Sequence, residues 1–137
     1  MKKRIGLLFL SAAIATSVNA ADVKGAFNVF ESASKLWQIC INQSIEKYSQ
    51  YQASAEEVAS ASLSYCSDKE DLVYESMVNF QSNLERNKNK SDDEIREIVN
   101  DEIIEYRNNV KRNAIKKALE ISNKQEPPQK QKSTIFI

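Results

Sequence analysis

The chain contains neither glycine nor proline between Ala26 and Glu126. Proteins built from strands and tight turns need these two residues, whereas helices avoid them because glycine loosens the backbone and proline breaks it. Apolar residues in this stretch recur at steps of three and four, which is the spacing of one face of a helix. The sequence therefore predicts an all-α fold.

Two amphipathic helices are predicted in the first part of this stretch. The first spans about residues 26–52, and its apolar face consists of Phe30, Ala33, Trp37, Cys40, Ser44, Tyr48 and Tyr51. The second follows Ser54 and reaches Leu84, with an apolar face made of Val58, Ala61, Tyr65, Leu72, Val73, Met77 and Phe80. A break near residues 67–68 is an alternative, because Ser and Asp side chains compete for backbone hydrogen bonds.

Two serine–glutamate pairs mark the starts of the second and third helices. Ser54 and Glu57, and later Ser91 and Glu94, have the spacing of a capping box, in which each side chain bonds the other residue's backbone N–H. The third helix is predicted to end near Ser122. Its apolar face consists of Ile95, Ile98, Val99, Ile103, Tyr106, Val110, Ala114 and Ile121.

The two cysteines are symmetric about the first predicted turn. If that turn is centred near Ala53, Cys40 and Cys66 each lie 13 residues away from it and face each other in an antiparallel hairpin. Two cysteines in an oxidising compartment make one disulfide. A redox-active pair is the alternative, but such cysteines usually lie close together as Cys-x-x-Cys. The same reflection pairs Ile41 with Tyr65, and Tyr48 with Val58.

The first 20 residues have the features of a secretory signal peptide. Lys2, Lys3 and Arg4 precede the apolar run 5–18, and small residues at 18–20 suit cleavage after Ala20. A retained membrane anchor is the alternative, but the run is shorter than the roughly 20 residues that a spanning helix needs. We expect an exported protein, in the periplasm of a Gram-negative bacterium or otherwise secreted.

The rest of the chain divides into a helical domain and a tail. Residues 21–122 are predicted to form a disulfide-linked antiparallel helical hairpin plus a long third helix, which together make a small three-helix bundle. Residues 123–137 are predicted to be a flexible tail, because Pro127 and Pro128 stop the helix. The tail either stays loose, packs on the bundle or docks on a partner by strand addition through Ile135, Phe136 and Ile137.

Part of the hairpin resembles a known pattern. Trp37 to Cys40, then Ser54 to Ala59, then Cys66, is similar to small secreted bacterial helical proteins of unknown function. The resemblance covers about residues 36–70. It implies a disulfide-bonded hairpin in an exported protein, and it brings no activity and no site residues.

The composition argues against several kinds of chemistry. The chain has no histidine, which excludes Ser-His-Asp and Cys-His nucleophilic sites and histidine-ligated metals. Oxidised cysteines leave no thiolate for catalysis or zinc binding. Phosphate-cradling loops need several glycines, and Gly25 is the single glycine after the signal peptide. We therefore predict no catalytic residue, no metal ligand, no cofactor and no enzyme activity.

Charge is distributed unevenly along the chain. Removal of Lys2, Lys3 and Arg4 leaves 16 basic against 19 acidic residues, a net charge of −3, so no nucleic-acid partner is predicted. Residues 21–85 carry a net charge of −6, and residues 107–132 a net charge of +6. This pattern complements the helix dipole on a solvated surface, or it gives the basic C-terminal part contact with a membrane surface, a cell-wall polymer or an acidic partner.

Aromatic residues near one end of the hairpin are the last candidates. Trp37, Tyr48 and Tyr51 either belong to the core or form a partner or homodimer interface, where such residues are favoured. The sequence therefore predicts a non-enzymatic exported protein-interaction module, such as an inhibitor, an immunity protein or an adaptor. The alternative is an accessory structural component of a cell-envelope assembly, such as a secretion or conjugation apparatus.

Overall fold

The computed structural model describes residues 20–125, and it is helical. Four α-helices follow one another: α1 (Ala20–Tyr48), α2 (Ala55–Tyr65), α3 (Ser67–Asn83) and α4 (Asp92–Gln125). A short 3-10 helix, Glu85–Asn87, lies between α3 and α4. The predicted all-α fold and the Cys40–Cys66 disulfide are confirmed. The predicted signal peptide lies outside the described residues, apart from its last residue.

The helix boundaries differ from the predicted ones at both ends of α1. The helix begins at Ala20 rather than near 26, so that it includes Gly25, and it ends at Tyr48 rather than at 52. The backbone tightens after Tyr48, where the N–H of Tyr51 donates to the Tyr48 carbonyl and the N–H of Ala53 donates to the Tyr51 carbonyl. These bonds form the turn that leads into the cap of α2.

The second predicted helix is divided in two at Cys66. The break lies one residue before the predicted position, because Cys66 adopts φ −99° and ψ 19° and Ser67 already belongs to α3. The Cys66 carbonyl accepts from the N–H groups of Lys69 and Glu70, so it starts the ladder of α3. One residue thus ends one helix and begins the next, which allows the two to point in different directions.

Both predicted capping boxes are present. The Ser54 N–H donates to the Glu57 carboxylate at 2.8 Å, and the Glu57 N–H donates to Ser54 Oγ at 3.3 Å. Ser91 and Glu94 exchange the same two bonds at 2.8 and 3.3 Å. Each box satisfies two N–H groups that a helix start would otherwise leave without a partner.

Contacts between α1 and α3 have an antiparallel register. Cys40 is bonded to Cys66, and the rings of Phe27 and Phe80 lie 5.6 Å apart, so residue numbers fall on α1 as they rise on α3. The reflection about Ala53 holds for the cysteines and, within one residue, for Phe27 and Phe80. In α2, the ring of Tyr65 lies 6.2 Å from that of Tyr48.

The core contains part of each predicted apolar face, because Tyr51, Ala61, Tyr65 and Leu72, which were predicted to belong to these faces, are exposed. Trp37 is fully buried in its centre, and its ring lies 5.9 Å from that of Tyr106 on α4. The buried residues of α4 are Ile95, Val99, Ile103, Val110 and Ala114 of the predicted face, followed by Ala118, whereas Ile98, Tyr106 and Ile121 of that face are half-buried. The single apolar face of α4 is therefore used to cover α1, α2 and α3.

A polar network, which the sequence did not predict, fixes the connection between α3 and α4. Gln81 is buried, and its Nε2 donates to both oxygens of the Glu102 carboxylate at 2.8 and 2.7 Å. The buried Asn87 Nδ2 donates to the Gln81 carbonyl and to Gln81 Oε1 at 2.9 and 3.0 Å. Both amides are therefore held by partners within the fold, as buried polar groups require.

We predict that removal of the disulfide strongly destabilises the fold. Cys40→Ala together with Cys66→Ala frees a loop of 26 residues, so the free energy of unfolding should fall by about 3–4 kcal/mol in the chain-entropy account. Urea unfolding of the variant and of the wild type, with and without reductant, measures the loss. Equal stability of the variant and the oxidised wild type would contradict this prediction.

We also predict that the capping boxes make stability depend on pH. The hydrogen bond from the Ser54 backbone lowers the pKa of Glu57, and that from the Ser91 backbone lowers the pKa of Glu94, below the ordinary value of 4.5. Both carboxylates then stabilise the fold above pH 4.5, and this contribution is lost as the pH falls through the lowered pKa values.

The measurement is the urea midpoint as a function of pH. Between about pH 5 and pH 3 the wild type should lose stability more steeply than Glu57→Gln/Glu94→Gln, whose amides keep the box without titrating. Glu56→Gln/Glu97→Gln, in which both boxes stay intact, is the control and should follow the wild type. Parallel curves for all three proteins would show that the boxes do not couple folding to pH.

Candidate functional site

The structure separates the three aromatic candidates for partner binding. Trp37 is 0% exposed, so its side chain offers no surface to a partner and belongs to the core. Tyr48 is half-buried, and its ring packs edge-on against that of Tyr65. Tyr51 is 66% exposed in the turn after α1 and remains a surface residue. The candidates 135–137 lie outside the described residues.

Tyr51 borders an uncharged cleft at one end of the bundle. The cleft has a volume of about 410 Å³ and lies between the α1–α2 turn and the last turns of α4. Its lining consists of serine, glutamine, alanine and valine side chains besides Tyr51, and it includes no ionisable group that could act as an acid or a base at neutral pH. The cleft is therefore a polar surface feature without catalytic groups.

The carboxylates with lowered pKa values have structural roles. Glu57 and Glu94 accept the hydrogen bonds of their capping serines, and the pKa of Asp68 is lowered by a hydrogen bond from Lys69. All three are solvated. A catalytic acid needs burial or crowding that raises its pKa, which is the opposite shift. Among residues 20–125, no group of three or more His, Cys, Asp or Glu side chains could hold a metal ion.

The acidic and basic parts of the sequence meet within the fold. Lys117 of α4 pairs with Glu46 of α1 at 3.0 Å, and Arg107 of α4 pairs with Glu70 of α3. Arg96 forms two hydrogen bonds to Glu75, which raise the pKa of its guanidinium. Part of the basic charge of α4 is thus opposed by acidic residues of α1 and α3.

A second line of uncharged residues runs along α1 on its solvent side. It consists of residues at alternating steps of four and three, each one position before a residue of the buried face: Gly25, Val29, Ser32, Leu36, Ile39 and Gln43. None of the six is charged. We call this set the outer seam of α1. Its three large residues, Val29, Leu36 and Ile39, are 52–55% exposed, although their chemistry is that of the core.

Two residues from the neighbouring helices widen the apolar surface. Leu72 of α3 lines a depression of about 400 Å³ with Val29, Ser32 and Leu36. Tyr65 of α2 lines an adjoining one of about 580 Å³ with Leu36, Ile39, Cys40 and Gln43. Because Leu36 lines both, the two depressions adjoin at that residue, and we call them together the α1–α3 groove.

Two ion pairs within the chain lie beside the groove. Lys69 contacts Asp68 at 2.6 Å at one end of the groove, and Lys35 contacts Glu31 at 3.3 Å beside the outer seam. Each pair is neutral, so the groove has no strong field of one sign. An occupant would therefore bind through apolar contact and shape rather than through charge.

Other exposed apolar residues do not form such a surface. Ile104 and Leu119 of α4 are about as exposed as Leu36, but they lie 15 residues apart on the helix, which is about 22 Å, and so they do not form one patch. Single exposed apolar residues are normal on protein surfaces, whereas a continuous patch marks an interaction site. The sequence contained an indication of the groove: the residues of the outer seam have the same alternating steps of four and three as the buried face of α1, shifted by one position.

Comparison with known proteins adds no family to these observations. No protein-family model, no curated protein and no solved structure matches the chain. Within residues 20–125, no helix is both long enough and apolar enough to cross a membrane.

We predict that Trp37 reports the closed core directly, since it is the single tryptophan of the chain. Its ring is fully buried and its indole N–H has no hydrogen-bond partner among the described residues. The native protein should show blue-shifted emission that iodide does not quench, and urea should shift the emission to the red and make it quenchable. Strong quenching of the folded protein would place Trp37 at the surface and restore it as a partner-binding candidate.

Proposed function

We propose that this protein is a non-enzymatic exported interaction module that binds a protein through the α1–α3 groove. The observation that carries the proposal is the continuous exposed apolar surface formed by Val29, Leu36, Ile39, Tyr65 and Leu72. The charged residues along it form neutral pairs, and the cleft beside Tyr51 holds no catalytic group. A surface of this kind suits protein binding, and the two charged residues that line it, Asp68 and Lys69, are paired with each other.

The proposed framework for this surface is the disulfide-linked hairpin of the predicted three-helix bundle. In this description α1 is one arm, α2 and α3 together are the other, and α4 is the long third helix that closes the core. Leu36 and Leu72 lie on the two sides of the groove, and the Cys40–Cys66 bond adjoins it. Helices fixed in this way present a groove of defined width, which favours the binding of an amphipathic helix.

Export is the second part of the proposal. The signal-peptide features of residues 1–20 and the disulfide both suit an oxidising compartment such as the periplasm. Inhibitors, immunity proteins and adaptors are the activities that a small, rigid, non-catalytic domain performs there. A component of a cell-envelope assembly is the second class, and membrane contact through the basic part of α4 would belong to it.

We predict that a charge placed in the groove abolishes partner binding. The bait is the oxidised protein from residue 21, tagged at its N-terminus and exposed to envelope extract of its host at low and high salt. Leu36→Lys places an ammonium group in the middle of the groove, whereas Ile104→Lys makes the same change at an equally exposed site on α4. Apolar contacts are insensitive to salt screening, so capture should survive high salt.

The two variants separate the proposed classes. A stoichiometric protein that is captured by the wild type and by Ile104→Lys, but not by Leu36→Lys, supports the proposed function and names its target. Capture of membrane complexes that are lost at high salt and unaffected by Leu36→Lys would favour the envelope-assembly class instead. Identical capture by all three baits would exclude the groove as the binding surface.

A further inference from the structure

The two cysteines of the disulfide differ in their access to solvent. Cys66 is 0% exposed and belongs to the core, at the point where α2 meets α3. Cys40 is half-buried and lines the depression of about 580 Å³, together with the apolar side chains of Leu36, Ile39 and Tyr65. A solute that enters this depression therefore reaches the disulfide from the side of Cys40.

The surroundings of Cys66 favour negative charge on its sulfur. Ser44 is buried, and its hydroxyl donates a hydrogen bond to Cys66 Sγ at 3.6 Å. Cys66 is also the N-cap residue of α3, and its side chain makes no capping bond to that helix. The N-terminus of a helix favours an anion, and a thiolate at such a position is stabilised. If the disulfide opens, Cys66 is therefore the better leaving group.

The acidic residues next to Cys66 do not cancel this effect, because each has a cation as its partner. Asp68 and Glu70 belong to the first turn of α3. Asp68 is paired with Lys69 at 2.6 Å, and Glu70 is paired with Arg107 of α4. The carboxylates near the sulfur are thus balanced by positive charge.

We propose that Cys40 is a site of reversible modification by a low-molecular-weight thiol that enters through the α1–α3 groove. The thiolate attacks Cys40 Sγ, a new sulfur–sulfur bond forms there, and the bond to Cys66 breaks. The electron pair of the broken bond leaves with Cys66 Sγ, which takes up a proton from water. The thiol is oxidised and Cys66 is reduced, so the exchange needs no other oxidant or reductant.

The reverse step restores the disulfide. The Cys66 thiolate attacks Cys40 Sγ, and the low-molecular-weight thiol leaves again. Attack of the thiol on Cys66 instead of Cys40 would require α2 and α3 to open, because Cys66 is closed to solvent. The inference does not depend on the proposed function, since the thiol needs the depression beside Cys40 and no protein partner.

The experiment identifies which cysteine carries the thiol. The oxidised protein from residue 21 is incubated with reduced glutathione, quenched in acid, alkylated with N-ethylmaleimide in denaturant and mapped by mass spectrometry. In the native protein, glutathione on Cys40 with maleimide on Cys66 should exceed the reverse pattern at least about tenfold. In urea, where both sulfurs are accessible, the two patterns should differ by less than about threefold. Equal patterns in the native protein, an excess of glutathione on Cys66, or no adduct at all would overturn the proposal.

A variant of Leu36 tests the groove as the route of entry. Leu36→Trp places a larger ring in the depression and should slow the formation of the adduct at least about threefold, because it covers Cys40. Ile104→Trp makes the same change at an equally exposed site on α4 and should leave the rate unchanged. In urea both variants should react like the wild type. A native Leu36→Trp that reacts as fast as Ile104→Trp would exclude the groove as the route.

A variant of Ser44 tests Cys66 as the leaving group. Ser44→Ala removes the hydroxyl beside Cys66 Sγ, so the native protein should form the adduct at least about threefold more slowly. Ser76→Ala is the control, since this buried serine donates to the Val73 carbonyl and should not affect the exchange. Urea midpoints of the two variants show whether stability is matched. Equal native rates for Ser44→Ala and Ser76→Ala would refute the stabilisation of the leaving thiolate by Ser44.

Discussion

The bond between Cys40 and Cys66 is the constraint on which the arrangement of the other helices depends. It joins the middle of α1 to the single residue that separates α2 from α3. On one side of this point α3 runs back along α1, as the contact of Phe27 with Phe80 shows, and on the other side α2 packs against both α1 and α4. The covalent bond at the break ties both helices to the middle of α1.

The break at Cys66 also decides how much of the fold the sequence could predict. The disulfide and the α1–α3 register follow from reflection about Ala53, because two straight helices rise equally per residue on either side of a turn. The placement of α2 depends on its packing against α1 and α4, which no local pattern encodes. The starts of α2 and α4 were predictable because a capping box such as Ser54 with Glu57 is a local interaction.

The buried polar residues and the groove show the other limits of prediction from sequence. Gln81 and Asn87 are buried because their amides find each other and Glu102 across the α3–α4 connection, and a polar residue carries no sign of such distant partners. Leu36 has the opposite problem: apolar residues predict burial, yet it is half exposed. The spacing identifies two packing faces on α1, and it takes the positions of α3 and α4 to decide which of them the fold covers.

The pairing of charges within the fold explains why the exposed apolar face says more about the function of this protein than its charge does. The acidic first part and the basic last part of the sequence are distant along the chain, but Glu46 with Lys117 and Glu70 with Arg107 bring them into contact. Exposed pairs of this kind contribute little to stability and are weakened by salt, so they orient α4 rather than hold it. Along the groove, charge is likewise neutralised within pairs. The groove leaves apolar area of α1 exposed to water. Burial of that area is a driving force for binding that persists at any ionic strength.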